Sequence, residues 1–355
     1  MSADGGRTEG SGQVHSSPMA TTPISTPTPT PAPDGPRRRP RSEFGLVVVV
    51  LLVIAAVALR PALAGLLRQP AAANWATVFV AVTIQAMPFL VLGVAVSGAI
   101  AAFVPPGAIA RLLPRRPALA VPAAACAGAA LPGCECGSVP IAARLVAAGV
   151  TPSAALAFLL SAPAINPIVL TATAVAFPDH PMMVLARLLA SLAASVGVGL
   201  LWLALGRDDL LRPGRRWEPP PGSRTRRFLA SARHDFLQAG GYLVIGAGAA
   251  ATLQTLVPRK VVDAFAGSGP LSLVVLGLLA VVLALCSEAD AFVAAGLKQF
   301  SLTARLAFLV VGPMVDVKLV ALQAGTFGPR FAWRFAPLTF VVALASAALV
   351  GWWLL

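Results

Sequence analysis

From Phe44 onward the chain is a succession of apolar runs long enough to cross a bilayer, and that property removes most folds from consideration. A hydrocarbon core about 30 Å thick takes about 20 helical residues. Runs of that order lie near 78–104, 117–133, 153–177, 181–205, 236–257, 270–286, 303–322 and 335–355, after a first one in "FGLVVVVLLVIAAVALRPALAGLL". Hydrophobic residues make up 57% of the 355 and charged residues only 12%, and the mean hydropathy is +0.81, far from the balance of a soluble domain. Lipid leaves the backbone two solutions, the helix and the closed barrel. A single Tyr and hardly any strand-like alternation exclude the barrel. The expected fold class is an all-α integral membrane protein, a polytopic helical bundle of the plasma membrane with the lipid bilayer as its first partner.

The formal charge of +13 does not point to nucleic acid, because the basic residues gather between apolar segments rather than along one face. That pattern reads as topology under the positive-inside rule. Residues 1–43, rich in Pro, Ser, Thr and Gly, cannot bury enough surface to fold and are expected to be a disordered cytoplasmic tail. The tail ends in "RRRPR" before a run at 44–67 that is too long for a cleaved signal segment and reads as a retained first transmembrane helix. Residues 206–235 carry eight Arg against four acids and are expected to be a cytoplasmic linker between a first permease-like repeat, 78–205, and a second, 236–355.

The two repeats are visible in the sequence itself. Shifted by 150 positions, "CGSVPIAARLVAAGVTPSAALAFLLSAPAINPIVL" falls without a gap on "CSEADAFVAAGLKQFSLTARLAFLVVGPMVDVKLV", so that Cys136 meets Cys286, Phe158 meets Phe308, Pro163 meets Pro313 and Asn166 meets Asp316. Upstream, at an offset of 153, Gln85 meets Gln238 and Gly93 meets Gly246. Charge then fixes how the halves relate. If the short segment after the cysteines crosses as a half-helix, each half has five crossings, the halves are inverted, and Arg111, Arg115, Arg116, the linker, Arg330 and Arg334 all face the cytoplasm. The bundle then has about nine to eleven crossings, with broken helices at the C-x-C motif and its counterpart.

Inverted repeats with matching breaks point to a transport site near the midplane, where half-helix ends and freed backbone groups meet a cargo. At the first break, "GCECGSVP" sets Cys134, Glu135, Cys136 and Ser138 before Pro140; at the second stand Cys286, Glu288 and Asp290. Residues two apart share a face only in extended backbone, so an unwound stretch is needed for both sulfurs of C-x-C to hold one cargo. Thiolates suit soft or borderline centres, which makes Cys134, Cys136 and Cys286 candidate ligands of a transported metal, against the alternative that they are small residues at a tight break. Cys126 reads as a buried inert thiol. Glu288, Asp290 and Asp316 form an anionic cluster needing Lys318, Lys298, a cation or protons to balance it. Asn166, the counterpart of Asp316, is placed on the pathway, with Pro163 and Pro313 shaping the breaks. Gln85 and Gln238 are expected to bond between helices, and Arg187 and Arg305 to snorkel from span ends.

At these residues the sequence resembles the predicted permease family that includes the organoarsenical efflux permease ArsP and related proposed copper and zinc exporters. The resemblance covers roughly residues 45–355 and is most specific in "LPGCECGSVPIAARLVAAGVTPSAALAFLLSAPAINPIVL", with "CSEADAFVAAGL" as the second-half counterpart. It puts Cys134, Cys136 and Pro140 on the family's C-x-C-x-x-x-P segment and Cys286 and Asp290 on its second-half signature. Glu135 departs from the small hydroxyl residue common there, which shifts weight from an arsenical towards a cation. The resemblance implies export of a metal or metalloid by alternating access. It leaves room for a second small membrane protein or further copies of the chain as partners.

No nucleotide-binding loop is present, so coupling is expected to an ion gradient or a partner, with no resident cofactor and no enzymatic activity. Two rival readings are a membrane thiol oxidoreductase using Cys134 and Cys136, and a non-transporting subunit of a membrane complex.

Overall fold

In a computed structural model, residues 70–105, 108–114, 116–131, 134–205, 222–256 and 269–355 are described, all within the unit Pro61–Leu355. The expected tail and first helix, the basic stretch 206–221 and the 257–268 connection lie outside them. Among the described residues every regular element is a helix: α1 Pro70–Phe103, α2 Ala108–Leu112, α3 Pro117–Gly128, α4 Glu135–Ala147, α5 Pro152–Ala164, α6 Pro167–Ala176, α7 Met182–Leu205, α8 Arg224–Leu256, α9 Pro270–Leu283, α10 Ser287–Gly296, α11 Leu302–Val311, α12 Val317–Phe327 and α13 Pro329–Leu354. Among the described residues, five stretches are long and apolar enough to cross a membrane: Ala71–Phe103, Pro152–Ala176, Met182–Leu205, Arg224–Thr255 and Pro329–Leu354.

Proline and short polar residues place the starts and breaks. Pro117, Pro152, Pro167, Pro270 and Pro329 sit in the first turns of α3, α5, α6, α9 and α13, where the missing N–H costs nothing. The run expected at 153–177 is interrupted at Ile165 and Asn166, and the run at 303–322 is interrupted over 312–316. In both, Pro163 or Pro313 stands at the break and a side-chain cap restarts the chain: Asn166 accepts from the Val169 N–H at 3.0 Å, and Asp316 accepts from the Leu319 N–H at 2.6 Å. α8 begins at Arg224, so the last part of the stretch read as linker is helical.

Packing arranges these helices around α5 and α11. α5 is buried from Ser153 to Ala164, and α11 buries Ala304 and Leu306 through Val311. Outside them, α1 and α8 pack lengthwise and antiparallel: Trp75 Nε1 donates to Thr252 Oγ1 at 3.0 Å near one end, and Arg227 donates to the Ala101 carbonyl at 3.1 Å near the other. α7 and α13 also run antiparallel, with Trp202 edge-on to Phe331 and Phe335 at 5.4 and 5.6 Å and Gly197 against Val342.

The outer surface is apolar, as lipid requires. Ile84, Val91, Ile245, Leu278 and Val341 are all exposed. Trp333 near the start of α13 and Trp352 and Trp353 at its end are strongly exposed. At about 1.5 Å per residue the two levels are about 29 Å apart, the spacing of the two aromatic belts of a bilayer.

Candidate functional site

Two helix starts of the same construction carry the site. Cys134 precedes α4 in extended backbone (φ −86°, ψ 173°), and Cys286 precedes α10 likewise (φ −75°, ψ 146°). At each, the cysteine carbonyl accepts the first helical bonds, from Gly137 and Ser138 in one case and from Ala289 and Asp290 in the other. The unwound segment therefore ends at Cys134, and Cys136 lies in the first turn of α4. The expectation that Cys134 and Cys136 share an extended stretch is corrected to one extended and one helical cysteine, an arrangement that still sets the two thiols within hydrogen-bonding reach of each other. The cause is local: the α4 hydrogen bonds start at the Cys134 carbonyl, so Glu135 and Cys136 are wound into the first turn.

A close approach of backbones holds α4 in position. A Cβ on Gly93 of α1 would stand 2.3 Å from Gly137 Cα, and one on Gly246 of α8 would stand 2.5 Å from Lys318 Cα. The two glycines matched by the repeat thus let α1 close on α4 and α8 close on α12.

Between these starts lies a buried ionic network. Glu135 Oε1 is 2.5 Å from Lys318 Nζ, and Glu135 Oε2 accepts from Ser287 Oγ at 3.1 Å. Lys318 also donates to the carbonyls of Ala284 and Leu285 at 2.9 and 3.1 Å and lies 3.5 Å from Asp316 Oδ2. Arg187 donates to Thr173 Oγ1 at 2.8 Å and to the Ser287 carbonyl at 3.1 Å. Asp290 is buried with Oδ2 free of hydrogen bonds, and both carboxylate oxygens of Glu288 are buried in the same condition. A Cβ on Gly312 would meet Asp290 Oδ2 at 2.7 Å, so the absence of a side chain there makes room for that carboxylate.

The predicted residues are brought together to a large extent. Cys286 lies within electrostatic range of Cys134, Glu135, Glu288 and Lys318, Cys136 within range of Cys134, Glu135 and Lys318, and Asp290 within range of Arg187, Glu135, Lys318 and Asp316. Cys134, Cys136 and Cys286 are buried and free of disulfides. Ser138 is turned to its own helix, donating to the Glu135 carbonyl at 2.9 Å. Asn166 is buried at the head of α6, where it caps the helix and donates to the Ala162 carbonyl at 3.1 Å. Pro140 lies inside α4 and Pro163 inside α5. Among the described residues no three His, Cys, Asp or Glu side chains are disposed to hold a metal ion; Cys134, Cys136 and Cys286 do not form a ready-made cage in this conformation.

Several expectations are corrected. Arg187, expected to snorkel, is fully buried and ties α6 to the start of α10. It sits on the face of α7 that meets α6, where Thr173, the Ser287 carbonyl and the carboxylates of α10 hold it inward. Arg305 is half-buried with its guanidinium 5.8 Å from the Phe177 ring centroid. Lys298 is exposed and lies outside the network, because it follows the end of α10. Cys126 is exposed, on the outward side of α3. Gln238 does bond across helices, to the Gly325 carbonyl at 3.1 Å, whereas Gln85 faces outward. Ser287 and Thr173 join the network as hydroxyl partners of Glu135 and Arg187, with no signal in the sequence to mark them. Arg187 had a signal, an ionisable residue inside an apolar run.

Over nearly all of the described residues the chain is similar to known proteins. The "predicted permease" family of ArsP type matches residues 71–352. The chain belongs to this permease family. Its relatives include the UPF0718 protein YcgR of Bacillus subtilis, 38% identical over 281 residues, covering 77% of this chain and 96% of the relative. Another, from Streptococcus mutans, is named as a candidate subunit of a two-component membrane permease complex; it is 31% identical over 283 residues, covering 77% of this chain and 94% of the relative. No solved structure matches the chain. Family membership makes this permease a multi-pass membrane transporter rather than an enzyme.

Proposed function

We propose that this permease exports a soft metal or metalloid species, of the copper, zinc or arsenical class, across the plasma membrane by alternating access between two inverted halves. One observation carries the reading: buried free thiols from the two halves, Cys134 and Cys136 on one side and Cys286 on the other, head half-helices that meet across a carboxylate-rich network. Soft sulfur ligands suit such a cargo. Four carboxylates (Glu135, Glu288, Asp290 and Asp316) face two cations (Arg187 and Lys318), so the ionised network carries two surplus negative charges. That surplus favours a cationic cargo or protons. Antiparallel packing of α1 on α8 and of α7 on α13, each pair being equivalent under the sequence repeat, supports the inverted relation and five crossings per half.

In this cycle Cys134, Cys136 and Cys286 hold the cargo, Glu288, Asp290 and Asp316 balance its charge, and Asn166 with Pro140, Pro163 and Pro313 shapes the path. The experiment is cellular accumulation and survival across copper, zinc, arsenite and methylarsenite. It compares wild type, the Cys134→Ser/Cys136→Ser double variant and Glu288→Gln. Expression of wild type is expected to lower the content of one species, and both variants to lose that effect at equal membrane abundance. Equal content of all four species in every strain sinks the soft-cargo reading.

A second reading, a subunit that works only within a two-component complex, is favoured by the description of the Streptococcus mutans relative. It predicts that export appears only when a second membrane protein is co-expressed.

A further inference from the structure

Lys318 is surrounded by oxygen in a manner that its role as a counter-ion for Glu135 does not require. Its ammonium meets Glu135 Oε1 at 2.5 Å and Asp316 Oδ2 at 3.5 Å, and the carbonyls of Ala284 and Leu285 at 2.9 and 3.1 Å. Lys318, Glu135, Asp316 and Ala284 are buried and Leu285 is half-buried. The two carbonyls come from the end of α9, just before the break headed by Cys286. Ala284 adopts a left-handed conformation there (φ 47°), the one residue other than glycine with positive φ among the described residues. Such a cap is ordinarily left to glycine, and a strained backbone held in place by its surroundings marks a site. Here it ends α9 where the Ala284 and Leu285 carbonyls face Lys318.

Two carboxylate oxygens and two carbonyls freed at a helix end are the donors with which transporters of broken-helix construction hold a coupling cation, and hard oxygen donors suit hard cations. Glu135 Oε1 and Asp316 Oδ2 have no hydrogen-bond partner apart from their ion pairs with Lys318, so the Lys318 charge is their compensation. The neighbouring cysteines are soft donors by contrast, which separates a sulfur side for cargo from an oxygen side for charge balance.

We infer that Glu135, Asp316, Ala284 and Leu285 form a monovalent cation site and that Lys318 fills it as a tethered cation, so that this permease needs no free sodium or potassium ion there. The inference rests on the transport reading for its purpose but not for its chemistry. Lys318 contributes one positive charge, and one monovalent ion restores it. Once the side chain is cut back, the four oxygens remain around an open space and recruit an ion from solution.

The experiment is thermal unfolding of purified full-length protein in detergent, in sodium, potassium or choline chloride at equal ionic strength, for wild type, Lys318→Ala and Lys318→Ala/Glu135→Gln. Wild type is expected to unfold at one temperature in all three salts. Lys318→Ala is expected to unfold earlier in choline and to recover by ~3 °C for each tenfold excess of sodium or potassium over its Kd, and the double variant to lose that response. Equal midpoints of Lys318→Ala in all three salts, or failure to recover this variant in any of them, overturns the inference. A sodium or potassium response in wild type overturns it too. No cargo enters the measurement, so its failure leaves the soft-cargo reading standing, and loss of that reading leaves this result unaffected.

Discussion

At the scale of single residues the site is governed by how buried charge is compensated. Arg187 has no access to water, and its partners are a hydroxyl, a carbonyl and the fields of Glu288 and Asp290. Removing one side of a buried charge arrangement leaves the other uncompensated, at a cost of about 3–5 kcal/mol. Arg187→Met is therefore expected to lower the unfolding temperature of the detergent-solubilised protein strongly, and Arg187→Lys to restore only part of it, since one ammonium cannot span Thr173 and Ser287 as the guanidinium fork does. A variant as stable as wild type would show that Arg187 is not part of the network. Most of the acids and cysteines at this site were legible in the sequence, because ionisable and thiol side chains stand out in an apolar run. Their pairings were not. Glu135 reads as a departure from a motif, and only folding brings Lys318, more than 180 positions away, to 2.5 Å from it. Whether Arg187 points inward or snorkels depends on which face of α7 meets α6, and composition is silent on that.

At the scale of elements the breaks matter more than the spans. Hydropathy placed the apolar runs because the lipid requirement acts on whole segments. It could not distinguish one continuous span from α5 followed by α6, since Ile165 and Asn166 interrupt hydrogen bonding with little change in mean hydropathy. Pro163 and Pro313 were the local signals. Close approach of helices was less legible, because the repeat pairs Gly93 with Gly246 but does not say which backbone each one meets. Their contacts separate them. Gly246→Ala would set a Cβ 2.5 Å from the Lys318 backbone and is expected to destabilise the protein by about 1–3 kcal/mol with loss of transport. Gly241→Ala, on the same helix with nothing within 4 Å, is expected to be neutral or stabilising by up to about 1 kcal/mol. Equal unfolding midpoints for the two variants would contradict a tight α8–α12 crossing.

At the scale of the whole molecule the repeat organises everything else. Half-helices α4 and α12 pack together, as do α6 and α10, and the repeat exchanges these two pairs. Each therefore joins a helix of one half to a helix of the other. A ligand held between them must be sensed by both halves, and relative motion of the halves is what alternating access requires. The ion pair of Arg144 with Asp235, at 2.9 Å, adds a polar tie between α4 and α8, and Ser97 of α1 donates to the same carboxylate at 2.6 Å. The sequence repeat made this arrangement readable, because Cys, Phe and Pro in register are rare coincidences. The orientation proposed for the halves rests on charge alone.

The central claim is that one soft cargo is held by sulfur from both halves. The measurement that meets it most directly is the binding of Cu(I) and of a trivalent methylarsenical to purified protein, with X-ray absorption reporting the donor atoms, for wild type and for Cys134→Ser, Cys136→Ser and Cys286→Ser. One equivalent bound through sulfur is predicted, with affinity falling at least about tenfold, ~1.4 kcal/mol, on loss of a thiol from either half. Binding unaffected by Cys286→Ser, or without sulfur donors, would contradict the account.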